Sequence, residues 1–275
     1  QLVEVERIYP KRADRDYVFG RNLGAMLNLK AKRILLIGCG TIGGFLAQQL
    51  AQCGAGADGG ELVLMDKGVL DTANLGRHLL GVPHLGMKKA EGCVTFLREQ
   101  LPPLNIINRD EDILHSDVEL GAFDIVLEAT GEEALSIALN DRAVRSRPNS
   151  PPHLFVWLEG NGSVAKSLFT GEPGYACFKC EKPILSEGSP HRTLRPGREM
   201  EIGRDAACGD PVYVPFPVSR SVAAAALACD HVLDWANGRS GDRFRSETFD
   251  ESRAFRRKND SPIYSPACPA CGRRV

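Results

Sequence analysis

The stretch from Arg33 to Leu50, RILLIGCGTIGGFLAQQL, places the strongest constraint on how this chain can fold. An apolar run typical of a buried strand ends at GCGTIG, residues 38–43, and a helical pattern begins at once behind it. Glycines at this spacing allow a tight turn, close approach of backbone to a phosphate, and close packing of helix on strand. The N-terminus of the helix then favours an anion. Gly38, Gly40 and Gly43 therefore predict a nucleotide site, with NAD, FAD, SAM and ATP all left open.

The rest of the chain predicts an α/β fold of the Rossmann-like type. A second apolar run, ELVLMD, ends at Asp66 and completes a β-α-β unit, which places a carboxylate suited to ribose hydroxyls. Later patterns predict strands at 105–110, 123–128, 153–160, 163–171, 244–249 and 253–258, and helices at 87–101, 132–146 and 219–237. We therefore expect a mixed, mostly parallel sheet.

Residues 1–275 are predicted to form a single domain with three parts. Residues 1–30 are expected to be an N-terminal arm and a helix, the latter from Tyr17 to Leu29. Residues 31–150 would form the nucleotide-binding half, and residues 151–275 a half for substrate and zinc. Within the second half, residues 181–210 are poor in apolar side chains and rich in Gly, Pro, Ser and Arg, which predicts a mobile functional loop.

Two CxxC pairs, Cys177/Cys180 and Cys268/Cys271, are the most specific metal signal among the nine cysteines. Two such pairs can close a tetrahedral Cys₄ zinc site, which is structural because four sulfurs leave no open position. Such an ion would staple a distant loop to the C-terminal part. The alternatives are a redox dithiol or two unrelated surface loops.

Composition narrows the partners and the compartment. The 34 basic and 35 acidic side chains give a net charge of -1, so nothing points to nucleic acid or an anionic membrane. No apolar run approaches the roughly 18 residues that a membrane span needs. An odd number of cysteines with paired CxxC units favours a reducing compartment, so we expect a cytoplasmic protein. Gln1 in place of Met suggests one domain of a longer chain.

Cationic and amide side chains follow Asp66 in the segments DTANLGRHLLG and LGMKKAEG. Hydride transfer has little use for this much positive charge, whereas a triphosphate needs it to neutralise phosphoryl oxygens. The alternative is a solvated helix face. Together with the glycine turn, these residues favour ATP.

GCGTIGG, Asp66, ANLGR, LGMKK and the two CxxC pairs together resemble the ThiF/MoeB and ubiquitin-activating enzyme superfamily over nearly the whole chain. The resemblance implies adenylation, dependent on ATP and Mg²⁺, of the C-terminal carboxylate of a small ubiquitin-like protein. It further implies roles for individual residues. Asn74, Arg77 and Lys89 would hold the phosphates, Thr41 would lie in the nucleotide turn, Asp66 would take the ribose, and Arg21 would reach the nucleotide of a partner subunit in a homodimer.

One position departs from the family pattern. Gly131 stands where the family usually carries an aspartate that helps to bind Mg²⁺. Glu132, Glu128 or Glu133 could substitute, and Glu132 is the nearest in sequence. Without a substitute, adenylation would be weakened or lost, and the chain would be a non-catalytic scaffold beside an active subunit.

Cys208 is the candidate nucleophile. It lies 28 residues after Cys180, where family members that form thioesters carry their cysteine, and a thiolate there would take the acyl group from the adenylate. Cys39, Cys53, Cys93 and Cys229 are expected to be small core residues. His78, His84 and His191 are expected at the surface or in loops.

The leading hypothesis is therefore an adenylating enzyme that charges Cys208 with its protein substrate. Activation of a sulfur-carrier protein for thiamine or molybdopterin synthesis is the alternative within the superfamily, and a dehydrogenase is the alternative outside it. The chain also looks similar to the activating domain of bacterial conjugating–activating enzyme fusions from anti-phage operons, which would make a conjugating-enzyme domain a partner.

Overall fold

The computed structural model describes residues 8–181, 191–198, 200–203, 213–239 and 241–272. In these residues the predicted apolar runs form one seven-stranded sheet, in the order β3-β2-β1-β4-β5-β6-β7. The strands are β1 (Arg33–Ile37), β2 (Glu61–Met65), β3 (Ile106–Arg109), β4 (Ile125–Glu128), β5 (His153–Glu159), β6 (Val164–Thr170) and β7 (Phe244–Thr248). β1 to β5 pair in parallel, and β6 is antiparallel to both β5 and β7. The predicted mixed, mostly parallel, Rossmann-like sheet is confirmed.

Helices cover both faces of this sheet. They are α1 (Arg15–Gly20), α2 (Thr41–Gln52), α3 (Lys89–Gln100), α4 (Glu133–Arg145) and α5 (Val218–Ala236). Alternate residues of β1 belong to different layers: Ile34 and Leu36 pack with α2, α3 and α5, whereas Leu35 and Ile37 pack with α4. A strand buried on both faces has to be apolar throughout, which is why the run RILLI does not alternate.

The order of the strands decides where a ligand can bind. β1 lies between β2 and β4, so the chain leaves β1 on one side and returns to its other side. In open parallel sheets this reversal opens a crevice beyond the carboxyl ends of the strands. β1, β2 and β4 end at that edge, at Ile37, Met65 and Glu128 respectively.

Two predicted elements are wrong. The helix expected from Tyr17 to Leu29 is the short α1, which Asp14 caps by accepting from the amide of Tyr17 and which ends at Gly20. Residues 253–258 form no strand and make only an isolated bridge at Ala254. Within the described residues, no helix combines the length and apolar character that crossing a membrane would require.

Candidate nucleotide and acyl-substrate site

The glycine turn between β1 and α2 is built so closely that side chains are excluded at two positions. Gly38 has a φ of +91°, and a Cβ there would lie 2.8 Å from the backbone nitrogen of Thr130. A Cβ at Gly43 would lie 1.7 Å from the carbonyl oxygen of Gly38. These contacts let α2 start directly above the turn, so its first N–H groups face the crevice.

Asp66 holds the turn from the neighbouring strand. Its Oδ2 accepts from the backbone N–H of Cys39 at 2.7 Å, and its Oδ1 accepts from that of Gly68 at 2.6 Å. Each carboxylate oxygen has a second lone pair, so the group can still accept from a ligand hydroxyl. The predicted ribose acceptor is thus also a structural part of the turn.

A cavity of about 380 Å³ opens at this edge, and we call it the sheet-edge cavity. Gly38, Gly40, Asp66, Lys89 and Glu132 line it. Lys89 is the first residue of α3, and among the described residues its ammonium is paired with no carboxylate. A free cation beside an acid and a helix N-terminus suits a nucleotide better than a neutral ligand.

Thr41, Asn74 and Arg77 lie beside the turn in different ways. The hydroxyl of Thr41 donates to the carbonyl of Arg77 at 2.6 Å and is 2.8 Å from the hydroxyl of Ser221 on α5. The side-chain oxygen of Asn74 accepts from the N–H of Asp71 at 3.0 Å and so closes its own turn. Neither Asn74 nor Arg77 lines the sheet-edge cavity. Their predicted contact with phosphates therefore stays a prediction.

Arg21 lies at the wrong end of the molecule to reach this site within one chain. It follows α1, where its guanidinium donates to the Tyr17 hydroxyl at 3.1 Å. Phe19 packs beside Gly54, just past the C-terminal end of α2. The glycine turn is at the other end of that helix, about 18 Å away at 1.5 Å per residue. A role for Arg21 at a nucleotide therefore requires a second copy.

The three glutamates considered as Mg²⁺ ligands lie in different surroundings. Glu128 is buried and accepts from the Thr130 N–H at 2.8 Å and from the Ser136 hydroxyl at 2.5 Å, and burial raises the pKa of its carboxyl. Thr130 and Ser136 thus occupy most of its acceptor sites, and it does not line the sheet-edge cavity. Glu133 lines a different cavity, whereas exposed Glu132 lines the sheet-edge cavity. One carboxylate with phosphates and waters would fit Mg²⁺. Of the three glutamates, Glu132 is the one at the sheet-edge cavity, and its role as a ligand stays a prediction.

A second cavity of about 510 Å³ lies between the turn and the tip of the β5–β6 hairpin, and we call it the hairpin cavity. Its wall is largely apolar and includes Ile42, Trp157, Phe178, Leu194, Met200, Val214 and Phe216. Gly40 and Thr130 line both cavities. The two spaces therefore meet at the N-terminus of α2.

Asn161 organises the rim of the hairpin cavity, and sequence reasoning missed it. Its side chain donates to the carbonyls of Glu201 at 2.9 Å and Pro215 at 3.0 Å, and accepts from the N–H of Glu201 at 2.9 Å. Gly203 and Tyr213 then exchange backbone hydrogen bonds of 2.8 and 3.0 Å. The run Gly-Asn-Gly at the hairpin tip was the available signal.

Cys208, the predicted nucleophile, lies outside the described residues, as do residues 182–190 of the predicted mobile loop. Two described residues of the same segment are packed: Thr193 is buried, and buried His191 lies 2.6 Å from Glu181. His78 is buried too, and its Nε2 donates to the Cys39 carbonyl at 2.7 Å. His78 and His191 therefore lie in loops, as expected, but their side chains are buried rather than at the surface.

Cys177, Cys180, Cys268 and Cys271 come together as predicted. All four are buried, and their sulfurs lie within 4.8 Å of one another. Three of the S···S distances are 3.9, 3.7 and 3.4 Å. A tetrahedral zinc with Zn–S bonds of the usual length requires about 3.8 Å. Four cysteines at this spacing fit a structural zinc ion.

Comparison with known proteins identifies the family pattern. The ThiF family model matches residues 15–262. The "ATP-dependent ubiquitin transferase-like protein Cap2" of Pseudomonas aeruginosa is 34% identical over 94% of this chain and 46% of its own length. The Cap2 protein of Vibrio cholerae is 33% identical over 83% of this chain and 40% of its length. This chain thus spans less than half of these relatives.

More distant similarities agree with this. "Adenylyltransferase and sulfurtransferase UBA4" of Yarrowia lipolytica is 27% identical over 65% of this chain and 43% of its own length. The crystal structure of E. coli MccB superposes with a TM-score of 0.67 at 20% identity, covering 90% of this chain and 67% of that one. At that identity the match describes the fold.

Proposed function

This chain belongs to the ThiF family, and we propose that it uses ATP to adenylate the C-terminal carboxylate of a small ubiquitin-like protein. The observation that carries the proposal is the junction of two unlike cavities at Gly40. The sheet-edge cavity has the charges that a nucleotide needs, and the hairpin cavity has the apolar wall that a peptide tail needs. A carboxylate and an α-phosphate can meet only where the two join.

In this reading the N-terminus of α2 and Lys89 receive the phosphates. The N–H groups above the turn stabilise negative charge on the α-phosphate, and the Lys89 ammonium acts as a point charge on the leaving group. Asp66 accepts from the ribose. Arg77, whose carbonyl is held by Thr41, adds a forked donor. Mg²⁺ held by Glu132 would supply further charge neutralisation.

The substrate tail enters through the hairpin cavity. One carboxylate oxygen attacks the α-phosphorus, the bond from that phosphorus to the bridging oxygen breaks, and pyrophosphate leaves with the electron pair. The product is an acyl-adenylate. Exclusion of water by Trp157, Phe178 and Phe216 protects this mixed anhydride from hydrolysis.

Pyrophosphate exchange tests the adenylation step. Labelled pyrophosphate should enter ATP when the protein is given a ubiquitin-like protein from the native host. Lys89→Met should lower exchange about 100-fold, the usual loss for one charge-stabilising donor. Lys88→Met is the matched control, because that ammonium donates to the Lys67 carbonyl at 3.1 Å. Absence of exchange with every such host protein would contradict the proposal.

We propose thioester formation on Cys208 as the second step. The thiolate would attack the acyl carbon and release AMP, with the proton passing to solvent. Cys208→Ala should then abolish a thiol-sensitive adduct while exchange continues. An adduct that survives in this variant would contradict the step. Persistent exchange without any adduct in the unchanged protein would favour sulfur-carrier activation instead.

A non-catalytic scaffold is the second candidate function, and Gly131 is the reason for it. Its φ of +73° suits glycine, and the carboxylate usual at this place in the family is missing. ATP affinity measured with and without Mg²⁺ separates the cases. An active enzyme should bind ATP at least about tenfold more tightly with Mg²⁺ because Glu132 then contributes, whereas a scaffold should show no difference.

The same family resemblance supports two proposals about partners. We propose that this chain works beside a conjugating-enzyme domain in an anti-phage system of the cytoplasm. We also propose that it acts as a homodimer. The first proposal is supported by the similarity to the Cap2 proteins, because this chain spans less than half of their length. The distance of Arg21 from its own glycine turn is the support for the second.

A further inference from the structure

The loop between Cys177 and Cys180 carries a side chain that belongs to the hairpin cavity. Phe178 follows the first cysteine, is 5% exposed, and lines the cavity. Its ring lies 4.7 Å from that of Phe155, and it meets Trp157 edge-on at 5.6 Å between centroids. One face of this loop is therefore a sulfur cluster, and the other is a wall of the cavity.

Asn140 of α4 couples the loop to the rest of the cavity. Its side-chain oxygen accepts from the backbone N–H of Phe178 at 2.8 Å, and its amide nitrogen donates to the sulfur of Cys177 at 3.6 Å. Asn140 is itself buried. Glu133 and Ser136, in the first turns of the same helix, line the hairpin cavity. A shift of the sulfur cluster would thus move two parts of the cavity wall, Phe178 and the first turns of α4.

We propose that Phe178 is a specificity-determining residue for the substrate tail and that the ion held by the four cysteines positions its ring. The ion fixes both ends of the loop, so the backbone of Phe178 has one position and its ring stays against Trp157. The ligand class that this wall selects is a peptide tail with an apolar side chain close to its free carboxylate. The tail selection rests on the proposed function, whereas the coupling of metal and cavity does not.

Tryptophan fluorescence tests the coupling directly. The chain has two tryptophans, and Trp235→Phe leaves Trp157 as a reporter of contact with Phe178. Removal of the metal by a chelator under reducing conditions should shift Trp157 emission to longer wavelength. Trp157→Phe leaves Trp235 on α5, whose emission should stay constant. A response of both reporters would indicate general unfolding and overturn the proposal, as would a silent Trp157 after complete metal release.

Variants of Phe178 test whether its ring links the metal to Trp157. Phe178→Ala and the milder Phe178→Leu should keep one zinc per chain by elemental analysis and a native circular dichroism spectrum. In Phe178→Ala, the Trp157 signal should no longer respond to metal. Phe96→Ala is the matched control, since that ring lies on α3 and packs against His84, and it should keep the full response. A response that persists in both Phe178 variants would overturn the assignment.

Tail selection is measured with a random pentapeptide library that ends in free carboxylates, captured in the presence of ATP. The unchanged protein and Phe96→Ala should enrich apolar residues near the C-terminus, and Phe178→Ala should lose this enrichment. Equal selection by all three proteins would overturn the role of Phe178. If pyrophosphate exchange fails while Trp157 still responds to metal, the proposed function is wrong and the coupling stands.

Discussion

At Gly43 a single added carbon would lie 1.7 Å from the Gly38 carbonyl oxygen, whereas at Gly40 the same carbon would meet open space. The two glycines therefore serve different purposes although they belong to one motif. Gly43 lets α2 pack on the turn. Gly40, with an ordinary φ of -77°, leaves room where the two cavities meet.

This difference predicts two phenotypes. Gly43→Ala should lower the free energy of unfolding by at least about 2 kcal/mol, because overpacking a close contact displaces backbone. Gly40→Ala should change stability by less than about 0.5 kcal/mol yet weaken ATP binding at least about tenfold, because its Cβ enters the phosphate space. Denaturant unfolding and calorimetric titration measure the two effects. Normal ATP binding by Gly40→Ala would contradict this placement of the phosphates.

Buried histidines predict a loss of stability in acid. His231 on α5 lies 3.0 Å from the Ser167 hydroxyl, and burial lowers its pKa to about 3. Because the folded state favours the neutral ring, stability is full above the unfolded pKa of about 6.5 and falls as pH drops toward 3. His153, with a pKa lowered by burial to about 4, acts in the same direction.

His231→Gln should remove one of these two contributions. Between pH 6.5 and 5 the unchanged protein should lose about 2 kcal/mol more unfolding free energy than the variant, at about 1.4 kcal/mol per pH unit and proton. Urea unfolding at pH 7 and pH 5 measures the difference. Equal slopes for His231→Gln and the unchanged protein would contradict the assignment.

Among the elements, the β5–β6 hairpin does more than extend the sheet. Its tip, Gly160-Asn161-Gly162, has φ values of 56°, 56° and 73°. This left-handed backbone turns the Asn161 side chain toward the chain segments at Glu201 and Pro215. The hairpin thereby connects the end of the sheet with residues 40 and 54 positions further along the chain.

A graded series tests this connection. Asn161→Gly keeps the backbone conformation but removes every side-chain bond, and it should lower the unfolding free energy by about 1–3 kcal/mol. Asn161→Asp keeps the acceptor for the Glu201 N–H, so its loss should be smaller. Thermal unfolding with calorimetric detection gives the ranking. An Asp variant that is no better than the Gly variant would contradict the role of the acceptor.

On the scale of the whole molecule, Arg21 and the glycine turn lie at opposite ends of α2. If a second copy supplies the arginine, two inactive variants should complement each other. Arg21→Ala and Lys89→Met should each lack exchange activity, and an equal mixture should recover about a quarter of the normal rate, because half of the dimers then hold one intact site. No recovery after subunit exchange, verified by tagged copies, would contradict a shared site.

Much of the fold follows from local patterns. Apolar runs of strand length predicted every strand of the sheet. The two CxxC pairs predicted the sulfur cluster, because the two-residue gap within each pair lets both of its sulfurs face one ion, although only packing brings the two pairs together. The errors came where local pattern and tertiary contact disagree. The amphipathic run after Tyr17 reads as a helix, yet α1 ends at Gly20.

By itself, the sequence determined the family pattern, the glycine turn, Asp66 beside it and the cysteine ligands, since each depends on residues at short or fixed spacing. Only the tertiary structure decided that Glu128 is buried and hydrogen-bonded to Thr130 and Ser136, whereas Glu132 lines the sheet-edge cavity. It alone brought Phe178 to the wall of a second cavity. Periodicity reports which side of an element is buried, whereas a cavity is bounded by elements that are distant in sequence, and their distances arise only from packing.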